Sequence, residues 1–339
     1  MTRFFLLFSS AILLSVSAMA ANESDSDSLT VAQKEVIEFN KFEGKLGSQM
    51  FVDFEQGFYS AKDTPKFNLN RATLYYSAKM GENFSGLFNF DFGATKKVDG
   101  VTERTSYVRN AEIKYEKDNL AVNFGMITLK EFSVQEKAWG HRFVAKSAMD
   151  EYSFGPSRDL GISVSYTFNE WLHADASMVN GEGYKKVVLD NKYKYALAFT
   201  VNPIKNLSWR VYGDFASKAE GEVYTDDQIT LANFLGYKTD KVSIGAEYNY
   251  MWNSGYYTGA SESVASFYGT YYFNNKFCAF ARYDNYQNMS NSGLDTEVYY
   301  IGFQYQPIKF LRLSPTFSHS FQKSDYKTPI FGIYAEINI

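Results

Sequence analysis

The chain has 339 residues, with 34 Lys and Arg against 38 Asp and Glu, a formal net charge of -4 and an isoelectric point near 5.6. That balance offers no basic surface for nucleic acid, and a single cysteine, Cys278, excludes a disulfide framework. Aromatic residues make up 18% of the chain while the mean hydropathy is -0.32, a combination that fits strands with one face to lipid and one to water.

Residues 1–20 read as an export signal: Arg3 supplies a positive charge, Phe4 to Val16 an apolar segment, and Ala18-Met19-Ala20 a small-x-small cleavage site. The apolar run is too short to cross about 30 Å of hydrocarbon as a helix. No cysteine follows the cleavage site closely enough to carry a lipid. Residues 21–42 then form a periplasmic leader, acidic and serine-rich over Asn22 to Ser28. In its second half Leu29, Ala32, Val36 and Phe39 recur at helical spacing, as in a short helix or a subunit-pairing seam. No later apolar stretch is long enough to span a membrane as a helix, so a membrane-embedded mature chain must be a closed sheet.

From about residue 43 to Ile339 the pattern has period two. Met50, Val52 and Phe54 oppose Gln49, Asp53 and Glu55; Ala72, Leu74, Tyr76, Ala78 and Met80 oppose Arg71, Thr73, Tyr75, Ser77 and Lys79. The alternation returns segment after segment, through a less regular one near Ile229 to Tyr237, up to Phe331 to Ile339. Every second connection is very short, as at Gly81-Glu82-Asn83, Lys117-Asp118-Asn119, Asn169-Glu170, Asn274-Asn275-Lys276 and Pro307-Ile308-Lys309. The others are long and polar, as at Thr95 to Ser106, Asn180 to Lys192, Ser217 to Gln228, Ser254 to Ser263 and Gln287 to Thr296. This predicts an all-β fold: an antiparallel transmembrane β-barrel of about 16 strands with short periplasmic turns, long extracellular loops and both termini inside. Aromatics beside the turns, such as Phe84, Tyr115, Phe168, Trp171, Phe273, Phe277 and Tyr305, predict an inner girdle.

One connection stands apart, from about Ile127 to Arg158. It is the longest, and it carries Phe132, Val134, Trp139, Phe143, Val144, Tyr152 and Phe154, which a freely solvated loop does not need. It is expected to fold into the lumen and narrow it, its apolar side on the wall. Pore-constriction candidates are Lys130, Lys137, His141, Arg142, Lys146 and Arg158, a set suited to anions. Glu131, Glu136, Asp150, Glu151 and Asp159 lie nearby, and a mixed-charge loop held by internal ion pairs is the competing reading. The strand parity turns Arg71, Lys79, Lys114, Lys194, Arg210, Arg282 and Arg312 inward, against Asp53, Glu55, Asp91, Glu112, Glu116, Asp175, Asp214, Glu247, Asp284 and Glu336, which implies a wet interior of mixed sign. Arg109 breaks the scheme: it shares parity with the lipid-facing Ala111, Ile113 and Tyr115, so either the register bulges there or a neighbouring subunit covers that face.

Several fragments resemble the phosphate-selective porins of the O and P type: Leu69-Asn70-Arg71-Ala72, Val108 to Tyr115, Phe124-Gly125-Met126 and Phe154 to Gly161. They cover about the first half of the barrel. The resemblance implies trimers of sixteen-stranded barrels with an inward-folded third loop and rows of basic residues that select phosphate; apolar Met126-Ile127 departs from the relatives. The function this reading implies is a porin for small hydrophilic solutes and ions, anions or phosphate preferred, in the bacterial outer membrane, with lipids and a homotrimer as partners and no metal or cofactor. His141, His173 and His319 lie far apart in sequence, and His173, Asp175 and Ser177 on one strand look like a chance assembly rather than a catalytic relay. An adhesin or structural barrel with a closed lumen is the alternative.

Overall fold

A computed structural model of the chain describes residues 42–58, 65–98, 101–186, 192–218, 225–323, 325–326 and 329–339. The expected signal and nearly all of the leader, residues 1–41, lie outside the described residues. The strands are β1 (Phe42–Gly57), β2 (Lys66–Met80), β3 (Phe84–Val98), β4 (Val101–Lys117), β5 (Leu120–Thr128), β6 (Arg158–Asn169), β7 (Leu172–Val179) and β8 (Lys194–Val201). They continue as β9 (Leu207–Ala216), β10 (Gln228–Lys238), β11 (Val242–Trp252), β12 (Ser261–Tyr272), β13 (Phe277–Asn288), β14 (Thr296–Ile308), β15 (Leu311–Gln322), a two-residue β16 (Asp325–Tyr326) and β17 (Ile330–Asn338). Between β5 and β6 lie two short helices, α1 (Ser133–Trp139) and α2 (Ala148–Glu151).

Each long strand pairs antiparallel with its neighbours in sequence, and β17 pairs with both β15 and β1, closing the ring. Closure is what hydrocarbon demands, since an open edge would leave backbone N–H and C=O groups without partners. Without the two-residue β16, a side hairpin on the end of β15, the barrel has the sixteen strands that periodicity predicts.

The outward face is an apolar belt. Phe88, Ile113, Phe124, Leu197, Leu235, Ile244, Phe267, Ile301 and Ile333 are all exposed, and each alternates with a neighbour facing the lumen. At the short-turn rim the belt ends in paired rings: Phe84 with Tyr115, Tyr166 with Phe168, Tyr271 with Phe273, and Phe277 stacked on Tyr305 at 4.6 Å. The opposite rim carries Tyr250 with Trp252 and Tyr283 with Tyr299. These are the two aromatic girdles expected where strands leave hydrocarbon.

One feature departs from the sequence reading, and a second decides between two alternatives it left open. The stretch expected as a long loop, Thr95 to Ser106, is mostly strand: Ala94↔Thr105, Lys96↔Glu103 and Val98↔Val101 continue the β3–β4 ladder. Polarity is compatible with strand pairing once the hairpin has left the hydrocarbon, so composition alone misreads it. The second concerns Arg109. The ladder slips by one residue there, with Asn89 opposite Asn110 but Phe90 opposite Val108. Val108 and Ala111 face out, while Arg109 and Asn110 are both turned in and buried. A β-bulge with one extra residue thus resolves the parity conflict, and no neighbouring subunit is needed to cover the arginine.

The belt predicts its own sensitivity. Ile301→Arg, on the mid-strand outer face of β14, should destabilise the folded barrel by about 2–4 kcal/mol in denaturant titrations in lipid; an unchanged midpoint would contradict a hydrocarbon setting for that face.

Candidate pore constriction

The segment from Leu129 to Ser157 lies inside the barrel, and the wall is shaped to receive it. Phe132, Ala148, Met149 and Phe154 pack on Ala198, Tyr212, Ala232, Met251 and Val264, which are inward-facing residues of β8 to β12. Trp139 and Ala145 pack on Phe234, Tyr268 and Phe280 of β10, β12 and β13. Wall glycines leave room for these rings: a Cβ at Gly245 would sit 2.3 Å from the Tyr268 ring, and one at Gly302 would sit 2.4 Å from the Phe280 ring.

Wall side chains also take up the loop's polar groups. Arg210 donates to the Lys130 carbonyl at 2.8 Å, Arg282 to the Lys146 carbonyl at 2.5 Å and Arg312 to the Gly140 carbonyl at 2.8 Å. Ser243 and Tyr268 donate to the carbonyls of Ala138 and Gln135. Each of these cations is balanced: Arg210 by Asp175 at 2.7 Å, Arg282 by Asp284 at 2.6 Å, and Arg312 by Glu336. Lys194 lies 2.8 Å from the loop's Glu131 and 2.9 Å from Asp214. Burial raises the Glu131 carboxyl above the ordinary range against the pull of Lys194.

After α1 the chain turns at Gly140, whose φ of 74° is left-handed and whose N–H caps the helix on the Glu136 carbonyl. The turn sends His141 into the wall, 2% exposed, its ring nitrogens 3.1 Å from Gln304 Oε1 and 3.0 Å from Thr270 Oγ1 and its ring stacked on Phe280 at 4.1 Å. Burial, helped by Arg312, pushes the imidazole down to about 3, so the ring is held neutral.

The loop is seated mainly on β8 to β13, with Phe143 also packed on Phe51 of β1 and Tyr334 of β17, and the space left along β1 to β4 is the candidate passage. Two cavities lie along it. The outer one, about 270 Å³, is lined by Asn70, Asp91, Lys146, Asp150 and Tyr184, among others; the inner one, about 400 Å³, by Gln49, Tyr75, Asn89, Lys137, Arg158 and Arg312, among others. Arg71, Arg109 and Arg142 line both, which puts the three guanidiniums where the cavities meet. Arg142 is neutralised within the loop by Glu136 at 2.7 Å and by Asp150. Arg71, Arg109 and Arg158 form no salt bridge among the described residues. Arg71 rests on the Phe51 ring, 4.7 Å from its centroid, and donates to Gln49. Arg158 donates through Nε to Asn110 at 3.1 Å. Arg109 is 4% exposed, and its Nε has no hydrogen-bond partner among the described residues.

The candidates named from sequence therefore separate into groups. Arg142 and Arg158 meet Arg71 at the passage, with Lys137 on the inner side and Lys146 on the outer. Lys130 turns to the wall and donates to Ser165 at 2.5 Å, and His141, though its neighbours Gly140 and Arg142 line the inner cavity, points into the wall as an anchor. Lys79 and Lys114 line a separate cavity towards the short-turn rim, where Lys114 pairs with Glu116. Lys194, Arg210 and Arg282 are each no more than 3% exposed, and they hold the loop instead of lining water. The wet, mixed-sign interior inferred from parity is thus corrected over β8 to β13, because these charges are satisfied by one another and by loop carbonyls. Arg109 at the passage was missed as a candidate because its bulge inverts the parity; its only sequence signal was a charge on the wrong face. His173 and Asp175 are engaged separately, with Thr167 and Arg210.

Replacing residues 131–157 with a short Gly/Ser linker should raise single-channel conductance, and an unchanged value would count against a narrowing loop. His141 adds a pH dependence. Its folded-state pKa lies below its ordinary value, so the stability it contributes is present above about 6.5 and is lost as the pH falls towards about 3. Thermal unfolding of the wild type should therefore fall more steeply over that acid range than that of His141→Asn; parallel curves would show that the ring does not anchor the loop.

Comparison of the sequence finds no matching family model and no matching curated protein. Solved structures do match. The outer membrane channel DcaP of Acinetobacter baumannii is 14% identical, with a TM-score of 0.63 over 88% of this chain and 97% of its own. An anion-selective porin from Comamonas acidovorans is 9% identical, with a TM-score of 0.62 over 88% of this chain and 100% of its own. OmpT of Vibrio cholerae, in a trimer form, is 14% identical, with a TM-score of 0.60 over 88% and 100%. The chain shares with these bacterial outer-membrane proteins a fold, the closed sixteen-stranded porin barrel.

Proposed function

We propose that the protein is an outer-membrane porin through which small hydrophilic solutes and ions diffuse, with anions preferred at its narrow point. The observation that carries the preference is the set of three guanidiniums, Arg71, Arg109 and Arg158, that stand at the passage without a carboxylate partner among the described residues. In a confined, partly desolvated channel such charges attract anions and repel cations, and guanidinium grips carboxylate or phosphate oxygens through paired hydrogen bonds. Phosphate falls within this class, and its selection over other anions rests on the resemblance of the motifs from Leu69 to Gly161.

The protein sits in the outer membrane of a Gram-negative bacterium, short turns to the periplasm and long connections outside, as the belt and girdles support. It assembles as a homotrimer, a reading supported by the trimer form of OmpT. It works as a channel and not as an enzyme. Besides the arginines, the passage is lined by neutral hydrogen-bonding side chains such as Gln49, Thr73, Asn89 and Asn338 and by charged ones such as Glu136, Lys137, Asp91 and Asp150.

Planar-bilayer recording of the purified protein in a salt gradient tests this reading. Stepwise currents with a reversal potential on the anion side are expected, and Arg109→Gln should reduce the anion preference severalfold while leaving the heat-modifiable gel mobility of the barrel intact. A folded barrel without current would favour the closed adhesin; a cation-side reversal potential would remove the anion reading.

A further inference from the structure

One carboxylate on the same wall stays apart from the arginines. Asp91 of β3 is 7% exposed and lines the outer cavity with Arg71 and Arg109, close enough to act electrostatically on both, yet it forms no salt bridge among the described residues. A carboxylate that closed on Arg109 would make a charge-assisted pair and cancel the charge available to a solute. Two groups compete with that closure. Asp91 Oδ1 accepts the Gly93 N–H at 2.9 Å, and Oδ2 accepts the Tyr184 hydroxyl at 3.3 Å.

Both groups are fixed by structure of their own. The β3–β4 ladder slips a second time between Asp91 and Ala94, which directs the Gly93 amide at the carboxylate. At Gly93 the strand presses so closely on β2 that a Cβ would lie 2.7 Å from the Ala72 nitrogen. Tyr184 arrives from the connection between β7 and β8, which turns inward where the Gly181 N–H donates to Asp159 at 2.7 Å. Its ring meets Tyr107 edge-on at 6.3 Å, and its hydroxyl lies in the field of Arg109, Arg158 and Arg71 as well as Asp91.

We propose that Tyr184 is a positioning residue for solute selection, its hydroxyl acting with the Gly93 amide to hold the Asp91 carboxylate off the arginines and leave them free for anions. The inference rests on the reading of this passage as anion-preferring. Because the Tyr184 hydrogen bond is long, its loss produces a moderate change, and the change passes through Asp91.

The test is a double-mutant cycle on reversal potentials in a salt gradient, using refolded full-length protein whose heat-modifiable mobility matches the wild type. Tyr184→Phe keeps the ring and should lower the anion-to-cation permeability ratio roughly twofold, the scale of one modest hydrogen bond. Asp91→Asn should raise the ratio, and in that background Tyr184→Phe should change nothing further. An unaltered ratio in Tyr184→Phe, or an equal drop that persists beside Asp91→Asn, would overturn the proposal. A wild-type channel without anion preference would count against the reading of the passage alone, since the coupling between the two substitutions is measured separately from the sign of the preference.

Discussion

The lumen depends on the anchoring of one loop by cations of the wall, three of them buried and Arg312 partly so. Arg210, Arg282 and Arg312 each reach from the wall to a loop carbonyl while a wall carboxylate balances the charge, and Lys194 does the same through Glu131. Burying such groups costs several kcal/mol per ion unless partners are supplied, and the loop and wall supply them mutually. A loop displaced from its seat would leave charges stranded in a partly apolar space, so the seated position is specified sharply. The apolar contacts of Trp139, Phe154 and Met149 add favourable area without fixing orientation in the same way.

The anchoring divides the interior by electrostatic role. The anchoring cations Lys194, Arg210, Arg282 and Arg312 each have a carboxylate partner, on β9, β7, β13 and β17 respectively, so their charges are compensated locally. On β2, β4 and β6 the arginines are held by neutral groups: Arg71 by Gln49 and the Phe51 ring, Arg158 by Asn110. Neutral partners orient a guanidinium while leaving its charge uncompensated, and the proposed anion preference rests on that arrangement.

The barrel was legible because period two, turn lengths and aromatic rims are all local consequences of hydrocarbon. Even the irregular segment near Ile229 to Tyr237 proved a regular strand with Thr230, Ala232 and Phe234 inside. The site was legible only in part. Arg142 and Arg158 were found because they belong to an unusual loop, but telling an anchor such as His141 or Arg282 from a lining residue requires knowing which wall the loop meets. A signal for that wall does exist: the inward parity of β8 to β13 carries Ala198, Phe234, Met251, Val264 and Phe280, whereas that of β2 to β4 is mainly polar. Inward apolar residues on one arc of a barrel mark where something inside is docked. Arg109 escaped because strict alternation assumes an unbroken ladder.

The bulge at Arg109 has a consequence for how such a barrel changes over generations. Val108 faces out and Asn110 faces in on either side of the extra residue, so losing a single codon there would restore plain alternation and delete one guanidinium from the bore, with the rest of the strand undisturbed. Gaining one would do the reverse. The natural mutational unit for charge at this point of the wall is thus an insertion or deletion, and a comparison of homologous channels by substitution alone would overlook it.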